Sequence, residues 1–231
     1  MNAVRSLAGV CVVIPAAGAG SRMSSEIPKQ YMKLSGKPVL QVTLEKFLAL
    51  KPDRVVLVVS PDDRHYDSID GVKSCEVVVG GDLRSASVLN GLESLDLDPT
   101  DLVLVHDAVR PCVRSADILR LVELVANHEV GGLLAVPVID TLKSNISGGV
   151  ETMDREGLWQ AQTPQSFRYG LLRVAMDQAM ASDQVITDES QAVELAGYEP
   201  LLVPGHRDNI KITAPGDIEL AQFYMEHGEC A

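Results

Sequence analysis

The chain has 231 residues, 46% apolar and 4% aromatic, and its 32 acidic against 20 basic side chains leave a formal net charge of -12. That length suffices for one full α/β core, and the acidic balance excludes a nucleic-acid surface, which needs a basic face. The apolar runs are strand-sized and interrupted, and the segment ahead of the first is too short for a secretion signal, so a soluble cytoplasmic protein with no membrane partner is expected.

The first apolar run, Val10 to Ile14, leads into Pro15-Ala16-Ala17-Gly18-Ala19-Gly20-Ser21-Arg22-Met23, with Pro28-Lys29 close behind. Gly18 and Gly20 let the backbone approach a bound group that a side chain would exclude. Arg22 adds a fork of donors and Lys29 a point charge, and together with exposed loop amides these suit a polyphosphate. Two commoner glycine loops fit poorly. No Gly-Lys-Ser/Thr string follows at Walker A spacing, and Met23 stands where a dinucleotide fingerprint needs a small residue.

Further buried strands are expected at Val55 to Val59, Glu76 to Val79, Leu102 to Val105 and Leu133 to Val138, with strand-like segments at Leu201 to Val203 and Asn209 to Thr213. Helical stripes lie between them, such as Leu40, Leu44, Phe47 and Leu48, then Val88, Leu89, Leu92 and Leu95, then Ile118, Leu121, Val122 and Val125. Later helices are expected at about 168 to 180 and 188 to 196, and after Pro215. The alternation predicts a single three-layer α/β domain around a mostly parallel sheet, whose ligand sits where the loops at Pro15, Gly80, His106 and Val138 converge. Residues 141 to 160 break the pattern and read as a projecting β-hairpin arm. The cysteines Cys11, Cys75, Cys112 and Cys230 form no C-x-x-C pair and read as small hydrophobes of a reducing compartment.

The loop segments carry the candidate chemistry. Gly80-Gly81-Asp82-Leu83-Arg84 is a flexible turn that could read a base, or an ordinary turn before a helix. Asp107, at the end of a strand facing a phosphate site, is a candidate Mg²⁺ ligand, or a loop Asp bonded to its own backbone. His106 reads as structural, since phosphoryl chemistry needs little proton shuttling. Asp208 offers a second carboxylate and Lys211 another cation, although a surface charge pair would look the same.

Taken together, the glycine loop with Pro28-Lys29-Gln30-Tyr31, Gly80-Gly81-Asp82-x-Arg84-x-x-Ser87, His106-Asp107-Ala108-Val109-Arg110-Pro111, Asp140-Thr141, Trp159 to Gln165, Thr187-Asp188-Glu189 and Asp208-Asn209-Ile210-Lys211 resemble the 2-C-methyl-D-erythritol 4-phosphate cytidylyltransferase family of the non-mevalonate isoprenoid route. The resemblance implies a Rossmann-like nucleotidyltransferase that joins CTP to methylerythritol phosphate with Mg²⁺, as a homodimer of bacterial or processed plastid type. It implies that Arg22, Lys29 and Lys211 act on the triphosphate. Ala16, Ala17, Gly18, Gly20, Gly81, Asp82, Ser87, Asp107 and Ala108 would hold the nucleotide, with Asp107 and Asp208 at the metal. Arg110, Thr141, Arg155 and Thr163 would bind methylerythritol phosphate, the last two from the neighbouring subunit through the arm. Ribitol 5-phosphate cytidylyltransferases share the Pro-Lys-Gln and His-Asp-Ala-x-Arg-Pro strings and stand as the alternative. A nucleotide-sensing module without turnover and a Rossmann oxidoreductase are further classes, and release of pyrophosphate from CTP separates both from a transferase.

Overall fold

The computed structural model describes residues 5–18, 27–146, 148–182 and 185–228. Strand β1 (Val10–Pro15) is followed, beyond a 3-10 turn at Lys29–Tyr31, by the short hairpin β2 (Lys33–Leu34) and β3 (Lys37–Pro38). Next come α1 (Val39–Ala49), β4 (Arg54–Val59), β5 (Glu76–Val79), α2 (Arg84–Glu93), β6 (Leu102–Val105), α3 (Ser115–Val125) and β7 (Gly131–Pro137). A second hairpin, β8 (Leu142–Ser144) and β9 (Glu151–Met153), precedes β10 (Trp159–Arg168), α4 (Tyr169–Ala181), α5 (Glu189–Leu195), β11 (Leu201–Pro204) and α6 (Gly216–His227).

Among the described residues seven strands form one sheet in the order β11-β7-β10-β6-β1-β4-β5. Neighbours are parallel except around β10, which runs antiparallel to both β6 and β7. Successive strand residues point to opposite faces, so β1 feeds two cores at once. Val10, Val12 and Ile14 pack in one cluster with Leu44 and Phe47 of α1 and Ile118 and Leu121 of α3. Cys11 and Val13 pack in the other, with Val88 and Leu92 of α2 and Leu172 and Met176 of α4. The three layers follow from that alternation. A third, smaller cluster seats α6 through Ala221 on Leu34, Val39 and Ile212. Cys11 and Cys112 are buried, as small hydrophobes should be, Cys75 is half-buried, and Cys230 lies outside the described residues.

Three expectations need correction. The arm does not run to residue 160, because Trp159 opens β10, a ten-residue strand of the main sheet. Its Gln160, Gln162, Thr163, Pro164 and Gln165 hide a strand from hydrophobic periodicity; the ladder to β7 breaks between Ala161 and Gln165, and that irregularity accommodates the proline. Asn209 to Thr213 is not a sheet strand. Its backbone is spent elsewhere, with Ile212 N–H donating to the Val109 carbonyl at 2.9 Å and the Asn209 carbonyl accepting from Arg110. Finally β5 is an edge strand with Val77 and Val79 exposed, so its apolar run is not buried on both faces. Gly131 opens β7 at φ 129°, where a Cβ would stand 2.3 Å from the Ser166 carbonyl oxygen. Only glycine lets β7 approach β10 that closely.

Phe167 projects from β10 with no exposed surface. Phe167→Ala should cost about 3–5 kcal/mol in urea unfolding, whereas Val174→Ala on the outer face of α4 should stay within about 0.5 kcal/mol.

Candidate active site

The carboxyl ends of β1, β5 and β6 converge on an open cleft, the place where ligands bind in such sheets. Ala16, Ala17 and Gly18 line it from the loop after β1, Gly81, Asp82 and Ser87 from the loop after β5, and Asp107 and Ala108 from the loop after β6. Lys29 and Lys211 reach the same cleft. Gly20 and Arg22 lie outside the described residues. The structure thus brings together the described members of the expected nucleotide set.

The loops are fastened locally. Gln30, buried beside Lys29, donates from Nε2 to the carbonyls of Ala16 at 2.9 Å and Gly18 at 3.3 Å, which sets the exit from β1. A Cβ on Gly80 would stand 2.6 Å from Ser87 Oγ and 2.8 Å from Ala17 Cβ, so glycine is what lets the two loops touch. The Gly81 N–H donates to Ser87 Oγ at 3.2 Å, tying that turn to the first turn of α2.

Asp107 is the centre of the charge pattern. Its carboxylate is buried at 7% side-chain exposure and meets Arg84 Nε at 2.9 Å, Lys211 Nζ at 2.9 Å and Arg110 Nε at 3.3 Å. Burial by itself would raise its pKa, but Arg84, Lys211 and Arg110 hold it well below the usual carboxylate range. Arg84 also forks onto Glu189, fully buried at the start of α5, with Nη1 to Oε1 at 2.6 Å and Nη2 to Oε2 at 3.2 Å. The Arg110 guanidinium is lowered by burial yet donates onward to the Asn209 carbonyl at 2.8 Å.

The protons of the neighbouring network have one consistent assignment. His106 is fully buried, and burial pushes its pKa down to about 3, so it is neutral. Its Nε2 lies 3.1 Å from the Arg110 carbonyl, which only accepts, so Nε2 carries the hydrogen. Nδ1 then accepts from Thr163 Oγ1 at 3.1 Å, and Thr163 Oγ1 accepts the Asp107 N–H at 3.0 Å. His106 is structural, as its sequence context indicates, and packs beside Phe47 with ring centroids 4.8 Å apart and the planes tilted by 50°.

Two site expectations change. Thr163, assigned to the neighbouring subunit, is buried in its own chain against Asp107, because β10 lies beside β6 and places it there. Asp107 and Asp208 do not fit a shared metal site. Both Asp107 oxygens already face cations, and Asp208 pairs with Arg114 at 2.5 Å, so the donor set repels a divalent ion where it should attract one. Among the described residues no three His, Cys, Asp or Glu side chains gather as metal ligands. Arg110 lines a second cavity next to the cleft, together with Lys211, Arg207, Asp140 and Gln162. Thr141 and Arg155 sit exposed at the arm, outside the lining of that cavity. Sequence reasoning missed the work of Arg84, Gln30, Glu189 and Asn209. All four stand inside recognisable strings, but only burial and partners reveal them.

Comparison with known proteins supports the same reading. A family model described as 2-C-methyl-D-erythritol 4-phosphate cytidylyltransferase matches residues 10–227. Proteins of that description from Mannheimia succiniciproducens and Alteromonas mediterranea are similar at 43% identity over 221 residues and 46% over 225, covering 94% of this chain in each case and 96% and 93% of theirs. The crystal structure of the Francisella tularensis protein of that description is similar at a TM-score of 0.80 and 37% identity, covering 93% of this chain and 98% of that one.

Neutral His106 gives a signed pH dependence. An unfolded histidine takes a proton near pH 6.5, so below that value the unfolded chain binds more protons and stability falls with pH. Asp107, depressed in the fold, adds its loss only as pH drops below its ordinary 3.8. Between pH 7 and pH 5 the His106 contribution should therefore be a loss of up to about 2 kcal/mol in urea unfolding. His106→Asn should flatten that slope whatever its absolute stability, and an unchanged slope would mean that the folded imidazole protonates.

Proposed function

The chain belongs to the 2-C-methyl-D-erythritol 4-phosphate cytidylyltransferase family, and from that premise we propose that its cleft joins CTP to methylerythritol 4-phosphate, releasing pyrophosphate. The observation that carries the reading is the set of cations around Asp107, which opens onto the loops after β1 and β5 and continues into the cavity beyond Arg110. Cytosine and ribose lie against Gly81, Asp82 and Ser87. The triphosphate lies along the loop after β1, with Lys29 on its departing end and Lys211 at the α-phosphate; the resemblance also implies a role for Arg22 on the triphosphate.

The 4-phosphate of the substrate attacks the α-phosphorus in line, the bond to the bridging oxygen breaks, and the pair of electrons leaves on pyrophosphate. No group of the protein needs to take a proton, because the nucleophile is already an anion. The chain contributes position and fixed positive charge, the two largest protein terms in phosphoryl transfer. The magnesium ion that the family resemblance implies would supply further charge neutralisation on the triphosphate, and Asp107, ringed by Arg84, Arg110 and Lys211, is poorly suited to hold it.

The arm supplies the rest of the substrate site in a dimer. Two three-residue strands cannot hold themselves, and Ile139, Ile146, Val150 and Met153 leave large apolar surface uncovered around them. A second copy covers that surface, and Arg155 then enters the partner's cavity by two-fold symmetry, together with Thr141, which the resemblance alone left in its own chain's site but which lies outside that chain's cavity lining.

Pyrophosphate release tests both parts. CTP with methylerythritol 4-phosphate should turn over, while ribitol 5-phosphate, or UTP in place of CTP, should be poor; no release, or equal use of the two polyols, overturns the assignment. Lys29→Ala and Arg155→Ala should each lose about a hundredfold or more. Their mixture, after subunit exchange, should regain roughly a quarter of wild-type activity, because each mixed dimer keeps one intact site. A mixture as inactive as its parents would place Arg155 in its own chain's site.

A further inference from the structure

The segment that delivers Lys211 to the cleft has few attachments. Within residues 207 to 213, Asn209 N–H donates to the His206 carbonyl and Ile210 N–H to the Asp208 carbonyl, and both of these bonds are internal to the loop. Ile212 N–H reaches outward to Val109 on the far side of Lys211. On the near side Asp208 is held by Arg114 at 2.5 Å and the Asn209 carbonyl by Arg110 at 2.8 Å, and the Asn209 side chain is the link that reaches β10.

Asn209 is 1% exposed. Its Nδ2 donates to the Thr163 carbonyl at 2.8 Å and lies 3.4 Å from Gln162 Oε1, while its own carbonyl accepts Arg110 Nη1 at 2.8 Å. Thr163 is the residue whose hydroxyl accepts the Asp107 N–H. Asp107 and the Lys211 loop are therefore both referenced to one point on β10, Asp107 through the Thr163 side chain and the loop through the Thr163 carbonyl. The Asn209 Oδ1 has no hydrogen-bond partner among the described residues.

We infer that Asn209 is a positioning residue for the transfer reaction: its carboxamide, anchored on Thr163, sets Lys211 and Arg110 in register with Asp107. The inference rests on the reading of Lys211 as the cation at the α-phosphate. A lysine two residues from a lost anchor shifts by an ångström or so, and a misplacement of that size at a reacting centre costs on the order of a hundredfold in rate.

Steady-state pyrophosphate release, with thermal unfolding of each variant run alongside, separates this role from a merely structural one. Asn209→Ala should lower kcat at least about tenfold and raise KM for the polyol phosphate, with KM for CTP within about twofold. Asn209→Asp keeps the shape without the donor and should be no better than alanine. In a Lys211→Ala background Asn209→Ala should lower kcat little further, because the cation it positions at the α-phosphate is already gone, while the rise in KM for the polyol phosphate through Arg110 remains. Folded Asn209→Ala enzyme with wild-type kcat and KM, full activity in Asn209→Asp, or kcat losses that multiply with those of Lys211→Ala would each overturn the inference. Wild-type activity in Lys211→Ala alone would instead refute the role given to Lys211.

Discussion

A single buried carboxylate governs the site. Asp107 lies just beyond the central strand β6, where it is shielded from water, and a charge in that position is strongly unfavourable unless cations meet it. Arg84 from α2, Arg110 from the loop after β6 and Lys211 from the segment before α6 do so, each from a different part of the chain. The dependence is mutual. Three cations this close repel one another and converge only around a fixed negative charge, so the buried carboxylate also assembles the positive surface to which the proposed function assigns the triphosphate. Because the cations are held before substrate arrives, little reorganisation remains for the reaction itself, which is the condition under which fixed charge is most effective.

The antiparallel strand β10 makes this convergence possible. Inserted between β6 and β7, it is polar over Gln160 to Gln165 and buried over Gln162 to Gln165, and its side chains are spent on neighbours. Thr163 bonds Asp107 and His106, Gln162 donates to the His206 carbonyl, and Gln165 reaches Asp188 and the Ser190 N–H at the start of α5. Glu189, carried by that same helix, closes the ring by holding Arg84. A purely apolar strand here would pack equally well but would leave the loops on either side without references.

What was legible in the sequence follows from which forces leave a pattern. Strands such as Val55 to Val59 and helices such as the one bearing Ile118 and Leu121 announce themselves because burial imposes a period. β10 does not, since its buried positions are satisfied by hydrogen bonds and not by apolar side chains, and Asn209 to Thr213 imitates a strand through Ile210 and Ile212 while spending its backbone on a loop. Most of the cleft was legible as motif, from Ala16 through Lys211, because the strings are specific in order and spacing. The role of Asp107 was not, because an aspartate at a strand end looks the same whether magnesium or guanidinium groups face it. Only the fold shows that both of its oxygens are taken. Likewise Thr163 reads as part of a motif near the arm, and its place beside Asp107 emerges only from the antiparallel register.

The most direct measurement is a magnesium titration of pyrophosphate release in Asp107→Asn. If Asp107 assembles the cations, removing its charge scatters Arg84, Arg110 and Lys211, and the rate should stay at least about tenfold below wild type at every magnesium concentration, with no shift in the half-saturating concentration. Recovery of wild-type activity at high magnesium would contradict this, and would return Asp107 to the role of a metal ligand.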